Sequence, residues 1–394
     1  MIDHKLVASR TMDLQCNVLR EILKVVNRPN MISLAGGIPA HESFPLSIIA
    51  ELTRTVLDKY RSSALQYDAT EGFGPLREAL VDYLASKKIK ATAEDILVTS
   101  GSQGALDSLA KVLIEPGDLV AVEAPTYLGA LQAFNPYGPR FVCIDTDELG
   151  IIPDALEKIV SENIIKFVYL VPTFQNPTGR TLPLERRKKI AHILEHYDTL
   201  LIEDDPYSSL RYWGRETDAI KTMSPEHVVY ISTFSKILAP GLRVGFCVAP
   251  ELIRKWLIIV KQGVDLHTST FSQALATEYL NGGFLNCHLP KICDLYRPKL
   301  KAMLAALSIY LPTEFRWSKP EGGMFVWVEG NNGLDMESVY QSAVERNAAF
   351  VPGKYFFPKP KQGLGTMRLN FTMADEERIE KAVRTLAEVI MEFS

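Results

Sequence analysis

Between about residues 93 and 250 the chain alternates short, β-rich apolar runs with longer amphipathic stretches. The runs are Ile96-Leu97-Val98-Thr99, Leu119-Val120-Ala121-Val122, Phe167-Val168-Tyr169-Leu170-Val171, Thr199-Leu200-Leu201-Ile202, Val228-Val229-Tyr230-Ile231 and Val244-Gly245-Phe246-Cys247-Val248. The second follows the turn Pro116-Gly117-Asp118. Strands that are apolar throughout are buried on both faces, and the helices between them supply the cover. The pattern predicts a layered α/β domain around a largely parallel sheet. Roughly the last hundred residues read differently. A long charged helix over about 289–310 precedes strand-like runs at 324–328 and 366–371, and a helix closes the chain. This is the pattern of a smaller α+β domain. Near the N-terminus lie a helix at about 13–26 and the run Ile32-Ser33-Leu34-Ala35-Gly36-Gly37, which pattern alone assigns to neither domain.

A chain of 394 residues is too long for one compact core, which agrees with one large and one smaller domain. Its hydrophobic and charged fractions, 47% and 23%, are those of an ordinary soluble globular protein. The net charge of -4 gives no basic excess for nucleic acid or an anionic membrane, so an anionic ligand must be held by local arginines. No apolar run approaches the ~20 residues of a membrane span. The opening MIDHKLVASR places charges before any apolar block, so no signal peptide is read. The cysteines, Cys16, Cys143, Cys247, Cys287 and Cys293, are odd in number and form no C-x-x-C pair. They point to a reduced, cytoplasmic setting. Cys287-His288 with Cys293 nearby fits no standard zinc spacing and reads as structural. The chain shows no internal repeat or low-complexity tract.

Ligands of open α/β sheets collect at the carboxyl ends of the strands. The first strand runs into Ser100-Gly101-Ser102-Gln103-Gly104, and Ala105, Leu106, Leu109, Ala110 and Leu113 then follow at helical spacing. Such a turn presents free N–H groups to an anion, or simply turns and caps the chain. Ser232-Thr233-Phe234-Ser235-Lys236 follows another strand, with Arg243 seven residues beyond the lysine. One cation suits an amine nucleophile and the other a phosphate partner, with the hydroxyls beside them. The other reading is a loop lysine that snorkels to water. Three acids in a row, Glu203-Asp204-Asp205, need a cation at a strand end: a metal, or a protonated pyridine nitrogen. No phosphate loop of the G-x-x-x-x-G-K-[ST] kind accompanies them. Asn176-Pro177-Thr178-Gly179 is first a turn signal, although its asparagine could also bond a phenolate-type oxygen.

Further segments share one order and spacing: SLAGGIPAHESFP, LQYDATEGFGPLREAL, SGSQGALD, EAPTYLGALQAF, PTFQNPTG, EDDPYSSL, STFSKILAPGLRVGF, GGMFVW and MRLNF. Over essentially its whole length the chain resembles the class I/II aminotransferases of pyridoxal-phosphate (PLP) fold type I. Within them it is most similar to the branch of 2-aminoadipate aminotransferase, kynurenine aminotransferase II and the aminotransferase domain of MocR-type regulators. The resemblance implies an α/β large domain with a mostly parallel seven-stranded sheet between helices, plus a smaller α+β domain. The division it suggests is an N-terminal helix and arm over 1–40, a PLP-binding domain over 41–288 and a small domain over 289–394. It also implies the roles that follow. Lys236 matches the Schiff-base lysine and later general acid/base, and Asp204 the carboxylate that holds the pyridine nitrogen protonated. Asn176 and Tyr207 match the pair that bonds the phenolic oxygen, and Tyr127 the stacked ring. Ser102 and Gln103, through a helix N-terminus, and Thr233, Ser235 and Arg243 match phosphate contacts. Thr233 replaces the family's commoner serine and keeps the hydroxyl. Tyr67 resembles the tyrosine that reaches the phosphate of the other subunit, which implies a homodimer with shared sites. Arg368 matches the grip on the substrate α-carboxylate, with Gly37 and Asn176 beside it. Arg20 aligns with an arginine on a mobile N-terminal helix, which turns in to a distal carboxylate or out for an apolar side chain. No metal is implied.

These roles are physically consistent. A carboxylate at Asp204 raises the pKa of the ring nitrogen and strengthens the electron sink. Arg243 and the helix dipole neutralise the phosphate, and Arg368 fixes the carboxylate so that the Cα–H bond stands perpendicular to the ring. The expected function is amino transfer between an L-amino acid of 2-aminoadipate, aromatic or branched-chain type and a 2-oxo acid, with 2-oxoglutarate expected. One alternative is a PLP lyase, decarboxylase or cyclopropane-forming synthase on the same fold. The other is a MocR-like regulatory domain. The resemblance begins within about thirty residues of the first methionine, which is expected to leave no room for a DNA-binding module.

Overall fold

The computed structural model describes residues 6–11, 28–331, 333–359 and 361–393. The expected helix at 13–26, with Cys16 and Arg20, lies outside the described residues.

Seven strands build the central sheet: β1 (Ile96–Thr99), β2 (Leu119–Glu123), β3 (Arg140–Ile144), β4 (Ile165–Leu170), β5 (Leu201–Asp204), β6 (Val228–Thr233) and β7 (Gly245–Val248). Their spatial order is β1-β7-β6-β5-β4-β2-β3. Neighbours from β6 to β3 are parallel, and β7 runs antiparallel to both β1 and β6. Successive residues enter opposite apolar layers, as a pleated strand requires. Leu97, Cys247, Ile231, Ile202, Tyr169 and Val122 share one layer. Ile96, Val98, Phe246 and Tyr230 face the other, which continues through Val168 and Leu201.

The apolar pattern located six of these strands. It missed β3, an edge strand that opens on exposed Arg140 and is only half-buried through Cys143, so it carries no continuous apolar run. It also set β5 two residues early, at 199–202. The ladder runs instead through Glu203 and Asp204, whose backbones pair with Tyr230 and Ile231 of β6. Likewise β6 continues through Ser232 and Thr233. Neighbouring strands satisfy these backbones, which outweighs the polarity of the side chains.

A second sheet is antiparallel: β8 (Arg316–Trp317), β9 (Phe325–Glu329), β10 (Val351–Pro352) and β11 (Thr366–Asn370), in the order β8-β9-β11-β10. The long helix nearby spans Phe284–Tyr310 and runs through Pro290 and Pro298. It begins five residues before the expected 289, because Phe284 and Leu285 pack on the apolar layer of the central sheet. The helix Glu376–Phe393 closes the chain.

The arm at 31–37 joins the two sheets. Ile32–Ser33 pairs in parallel with Ala348–Ala349. The Asn370 N–H, at the end of β11, donates to the Leu34 carbonyl. Among the described residues no helix is long and apolar enough to cross a membrane, and no group of three or more His, Cys, Asp or Glu could hold a metal ion.

Candidate active site

Because β1, β4, β5 and β6 run the same way, their carboxyl ends lie on one edge of the sheet. The reversed strand β7 begins there, with Gly245 in register with both Thr99 and Thr233. This brings Arg243 to the same edge, beside the start of helix α1 (Gly101–Leu113). Its Nη2 donates to the Ser100 carbonyl at 3.3 Å and its Nη1 to the Pro240 carbonyl at 3.2 Å. Gly101 is needed here. Its φ of +76° favours glycine, and a Cβ would collide with the Arg243 guanidinium. The Ser100 hydroxyl does not cap α1, because it bonds Asp265 and Thr268 instead. The first-turn N–H groups of α1, with Ser102 and Gln103, thus lie beside a guanidinium, an arrangement that suits an anion. Thr233 and Ser235 complete it. Their hydroxyls are buried and 2.9 Å apart, and Thr233 Oγ1 donates to the Val244 carbonyl at 3.1 Å.

The three consecutive acids separate by partner. Glu203 accepts the N–H groups of Ile220 and Lys221 at 2.9 and 2.8 Å. Asp205 accepts the Ser208 N–H and hydroxyl and the Tyr230 hydroxyl. Among the described residues Asp204 accepts only the Tyr169 hydroxyl, at 2.9 Å on Oδ2, while its Oδ1 is buried without a partner. Burial pushes the Asp204 carboxyl up to about 7; the Tyr169 hydrogen bond opposes that rise and the Asp205 charge adds to it. A bare carboxylate oxygen in such a place calls for a cationic N–H.

Lys236 stands three residues past β6, in the following turn. Its Nζ donates to the Gly37 carbonyl at 3.0 Å. Burial, and then the charges of Arg368 and Arg243, push this amine down to about 8. Arg368, on β11, is buried between Phe325, 4.3 Å from its guanidinium carbon, and Phe356, at 5.0 Å. Its Nη1 donates to Asn176 Oδ1 at 2.9 Å and its Nη2 to the Ala35 carbonyl at 2.6 Å, while Nε has no partner among the described residues. Burial lowers it to about 10, so it stays charged at neutral pH. Asn176 also bonds Tyr207, whose hydroxyl burial holds well above its usual range. Gly37 faces Phe325 and Arg368, which a Cβ there would meet at ordinary contact distance. The Tyr127 ring lies against Gly129, and Gln103 ties the two together: Nε2 donates to the Gly129 carbonyl at 2.8 Å, and Oε1 lies 3.5 Å from the Tyr127 hydroxyl. Burial pushes Tyr127 up to about 12.

The fold therefore gathers Lys236, Asp204, Asn176, Tyr207, Tyr127, Arg368 and Gly37, with the anion site of Ser102, Gln103, Thr233, Ser235 and Arg243 at one end. Tyr67 does not join them within the chain. It is 77% exposed, and its ring meets the edge of His267, ring centroids 5.7 Å apart. Arg20 lies outside the described residues. Sequence reading passed over Tyr169, Asp265 and Phe356. Tyr169 had a usable signal, since a tyrosine in a fully buried strand must find a partner for its hydroxyl. The other two had none: Asp265 meets Ser100 from 165 residues away, and nothing in the local pattern marks Phe356 as the ring under Arg368.

The open positions describe one ligand. A group with a cationic N–H at one end meets Asp204 Oδ1, and an anion at the other meets Arg243 and the α1 N-terminus. The Lys236 amine stands near Arg368. A flat pyridine ring bearing a phosphate satisfies both ends, and the donor set is that of pyridoxal phosphate.

Known proteins agree with this geometry. The family model for aminotransferase class I and II matches residues 29–386. The chain is 46% identical over 396 residues to aromatic-amino-acid aminotransferase 1 of Thermococcus litoralis, covering 98% of this chain and 94% of that protein. A kynurenine aminotransferase of Pyrococcus horikoshii, solved with PMP, kynurenine and kynurenic acid, superposes at a TM-score of 0.94 with 43% identity, over 98% of this chain and 97% of that one. An alpha-aminoadipate aminotransferase of Thermus thermophilus, complexed with N-(5'-phosphopyridoxyl)-L-leucine, superposes at 0.91 with 38% identity, over 99% and 98%. Matched along nearly its whole length in sequence and in fold, the chain belongs to the class I and II aminotransferases.

Proposed function

We propose that the protein transfers the amino group of an aromatic, 2-aminoadipate-type or branched-chain L-amino acid to 2-oxoglutarate, working as a cytoplasmic homodimer. Its cofactor is pyridoxal 5'-phosphate, which supplies, when bound, an electron sink for negative charge at the substrate Cα. The observation that carries the reading is the unpartnered, buried Oδ1 of Asp204, in a group where Tyr127 and Tyr207 lie within electrostatic reach of both Asp204 and Arg368, and Arg368 within reach of Lys236.

The residues divide the work as follows. Arg243, the hydroxyls of Thr233 and Ser235 and the first turn of α1 bind the phosphate. Tyr127 would cover the ring, Asp204 Oδ1 would hold the proton of its nitrogen, and Asn176 and Tyr207 would face its phenolic oxygen. Lys236 would anchor the cofactor in the resting enzyme. An amine lowered to about 8 is partly neutral at physiological pH, so Lys236 Nζ, once free, would take up the proton leaving the substrate Cα in one half-reaction and supply one to Cα in the reverse direction in the other. The unpartnered Nε of Arg368, with one of its Nη groups, grips the α-carboxylate and turns the Cα–H bond toward Lys236.

An apolar face supports the dimer. On the helix Glu251–Asp265, Leu252, Trp256, Ile259 and Val264 stand exposed at helical spacing, and Tyr67 and Leu65 are also exposed. A second copy would cover the face and bring Tyr67 to the neighbouring phosphate. We keep the division into 1–40, 41–288 and 289–394 within this proposal, with the arm as the strap between the other two parts. Its second boundary falls inside the helix Phe284–Tyr310.

The donor range follows the relatives, which act on aromatic, kynurenine and aminoadipate substrates. Arg20 is assigned to the distal carboxylate of acidic donors. A panel of amino donors against 2-oxoglutarate and pyruvate, run on wild type and Arg20→Ala, tests both points. We expect a new 2-oxo acid and glutamate. Release of ammonia with pyruvate from β-substituted donors, and no second amino acid, would favour the lyase alternative. Equal losses for acidic and apolar donors in Arg20→Ala would remove Arg20 from specificity.

A further inference from the structure

Asp204 is held from behind by one side chain. The Tyr169 hydroxyl donates to Oδ2 at 2.9 Å, and Oδ1 is left free. Tyr169 sits near the end of β4, one strand away from Asp204 at the end of β5, so the sheet itself sets their separation. The tyrosine is fully buried, and its ring is fixed edge-on against Phe134, centroids 5.6 Å apart. The charged or titratable groups that interact with the pair are Asp205, Tyr127, Tyr207 and Glu123, and none of them donates to Asp204 among the described residues. Asp205 makes the carboxylate a stronger base, so Tyr169 is its one opposing partner among the described residues.

A carboxylate that protonates a ring nitrogen faces two demands. It must attract the N–H, and it must not take the proton back. A proton shared between a carboxylate and a pyridine nitrogen sits on nitrogen only while the carboxylate is the weaker base. Burial beside Asp205 pushes Asp204 toward keeping the proton, and a hydrogen bond to Oδ2 stabilises the charged form and pushes the other way. The geometry points to Tyr169 as the positioning residue that keeps the shared proton on the ring nitrogen rather than on Asp204. It aims Oδ1 outward by occupying Oδ2, and it lowers the basicity of the oxygen that meets the ring. This rests on the cofactor reading given above, and it assigns Tyr169 no contact with substrate or cofactor. A merely structural tyrosine would need a partner for its hydroxyl, but any carbonyl in the layer would serve, and the proton would not depend on it.

The test is Tyr169→Phe in the holoenzyme, which keeps the ring against Phe134 and removes the hydroxyl. The first readout is the nitrogen-15 shift of ring-labelled pyridoxal phosphate bound to the protein. Wild type should report a protonated nitrogen, and Tyr169→Phe should move toward the unprotonated shift. Loss of one hydrogen bond to a charged group corresponds to a change of about ten- to a hundred-fold in the proton's partition. The second readout is the single-turnover half-reaction. Its maximal rate should fall by about the same factor while the half-saturating donor concentration barely moves. Placing 4-aminophenylalanine at 169 retains the shape and a weaker donor, and should fall between the two. It also carries the test if the phenylalanine variant does not fold. A protonated nitrogen in both variants, with wild-type rates, overturns the inference and leaves the cofactor reading standing. A wild-type protein that binds no labelled cofactor overturns both.

Discussion

Arg368 is the side chain whose loss should separate binding of the α-carboxylate from everything else in the site. Consider Arg368→Lys. The guanidinium has three uses in the structure: it holds Asn176 and the Ala35 carbonyl, it stacks between Phe325 and Phe356, and it leaves Nε free for the substrate. A lysine keeps the charge but cannot form the two-pronged contact, so one charge-assisted hydrogen bond worth ~1.5–3 kcal/mol is lost. Part of the stacking goes as well, at ~0.5–1 kcal/mol. The sum, ~2–4 kcal/mol, corresponds to a fall of roughly 30- to 1000-fold in kcat/KM for an amino acid. The assay is the single-turnover half-reaction with an aromatic amino acid and with the matching amine that lacks the carboxylate. The amine never used Arg368, so its already low rate should change by no more than a few-fold. Thermal melting of both proteins checks that the unpaired Asn176 and Ala35 groups have not loosened the fold. If the amine and the amino acid lose equally, Arg368 acts on structure and the carboxylate grip lies elsewhere.

Lys236→Ala should retain little or no turnover, and borohydride should no longer fix the cofactor to the chain; a colourless wild type with pyridoxal phosphate in excess would sink the cofactor reading. In cofactor-free protein, cofactor capture should speed up with pH and level off above about 8, because only the neutral amine attacks and the folded environment lowers it from 10.5. A rate still climbing toward 10.5 would show an ordinary surface lysine. Asp204→Asn should still bind cofactor yet slow Cα–H removal strongly, whereas Asp205→Asn should chiefly cost stability, ~1–3 kcal/mol by denaturant melt, through the loss of its Ser208 and Tyr230 bonds. The reverse pattern would mean that the wrong acid has been assigned to the ring. Mixing Tyr67→Phe with Lys236→Ala subunits should restore one wholly unmutated site per hybrid dimer, and a fully active monomer in the ultracentrifuge would refute the shared site.

Much of this was legible before any coordinates. Continuous apolar runs identified six strands and the α/β layering, because a strand buried on both faces has no choice but to be apolar. The strand-end clusters around Gly101, Asn176, Asp204 and Lys236 stood out because polar groups next to buried strands demand an explanation. The resemblance then attached roles to them. Pattern did not reveal edge strand β3, whose half-exposed residues follow neither template, nor the true ends of β5 and β6, where backbone pairing outweighs side-chain polarity.

Three consecutive acids looked alike in the sequence, and composition could not say which one meets a cation. That was decided by where neighbouring elements brought their donors: the backbone at 220–221 to Glu203, Ser208 and Tyr230 to Asp205, and a single tyrosine to Asp204. Arg243 reached the anion site only because β7 reverses its direction, and the arm joined Arg368 to Lys236 through two carbonyls, those of Ala35 and Gly37. Local pattern dictates which segments must be buried, because burial is a property of each residue. Most partners of these buried polar atoms come from residues distant in the chain, and only packing brings them together.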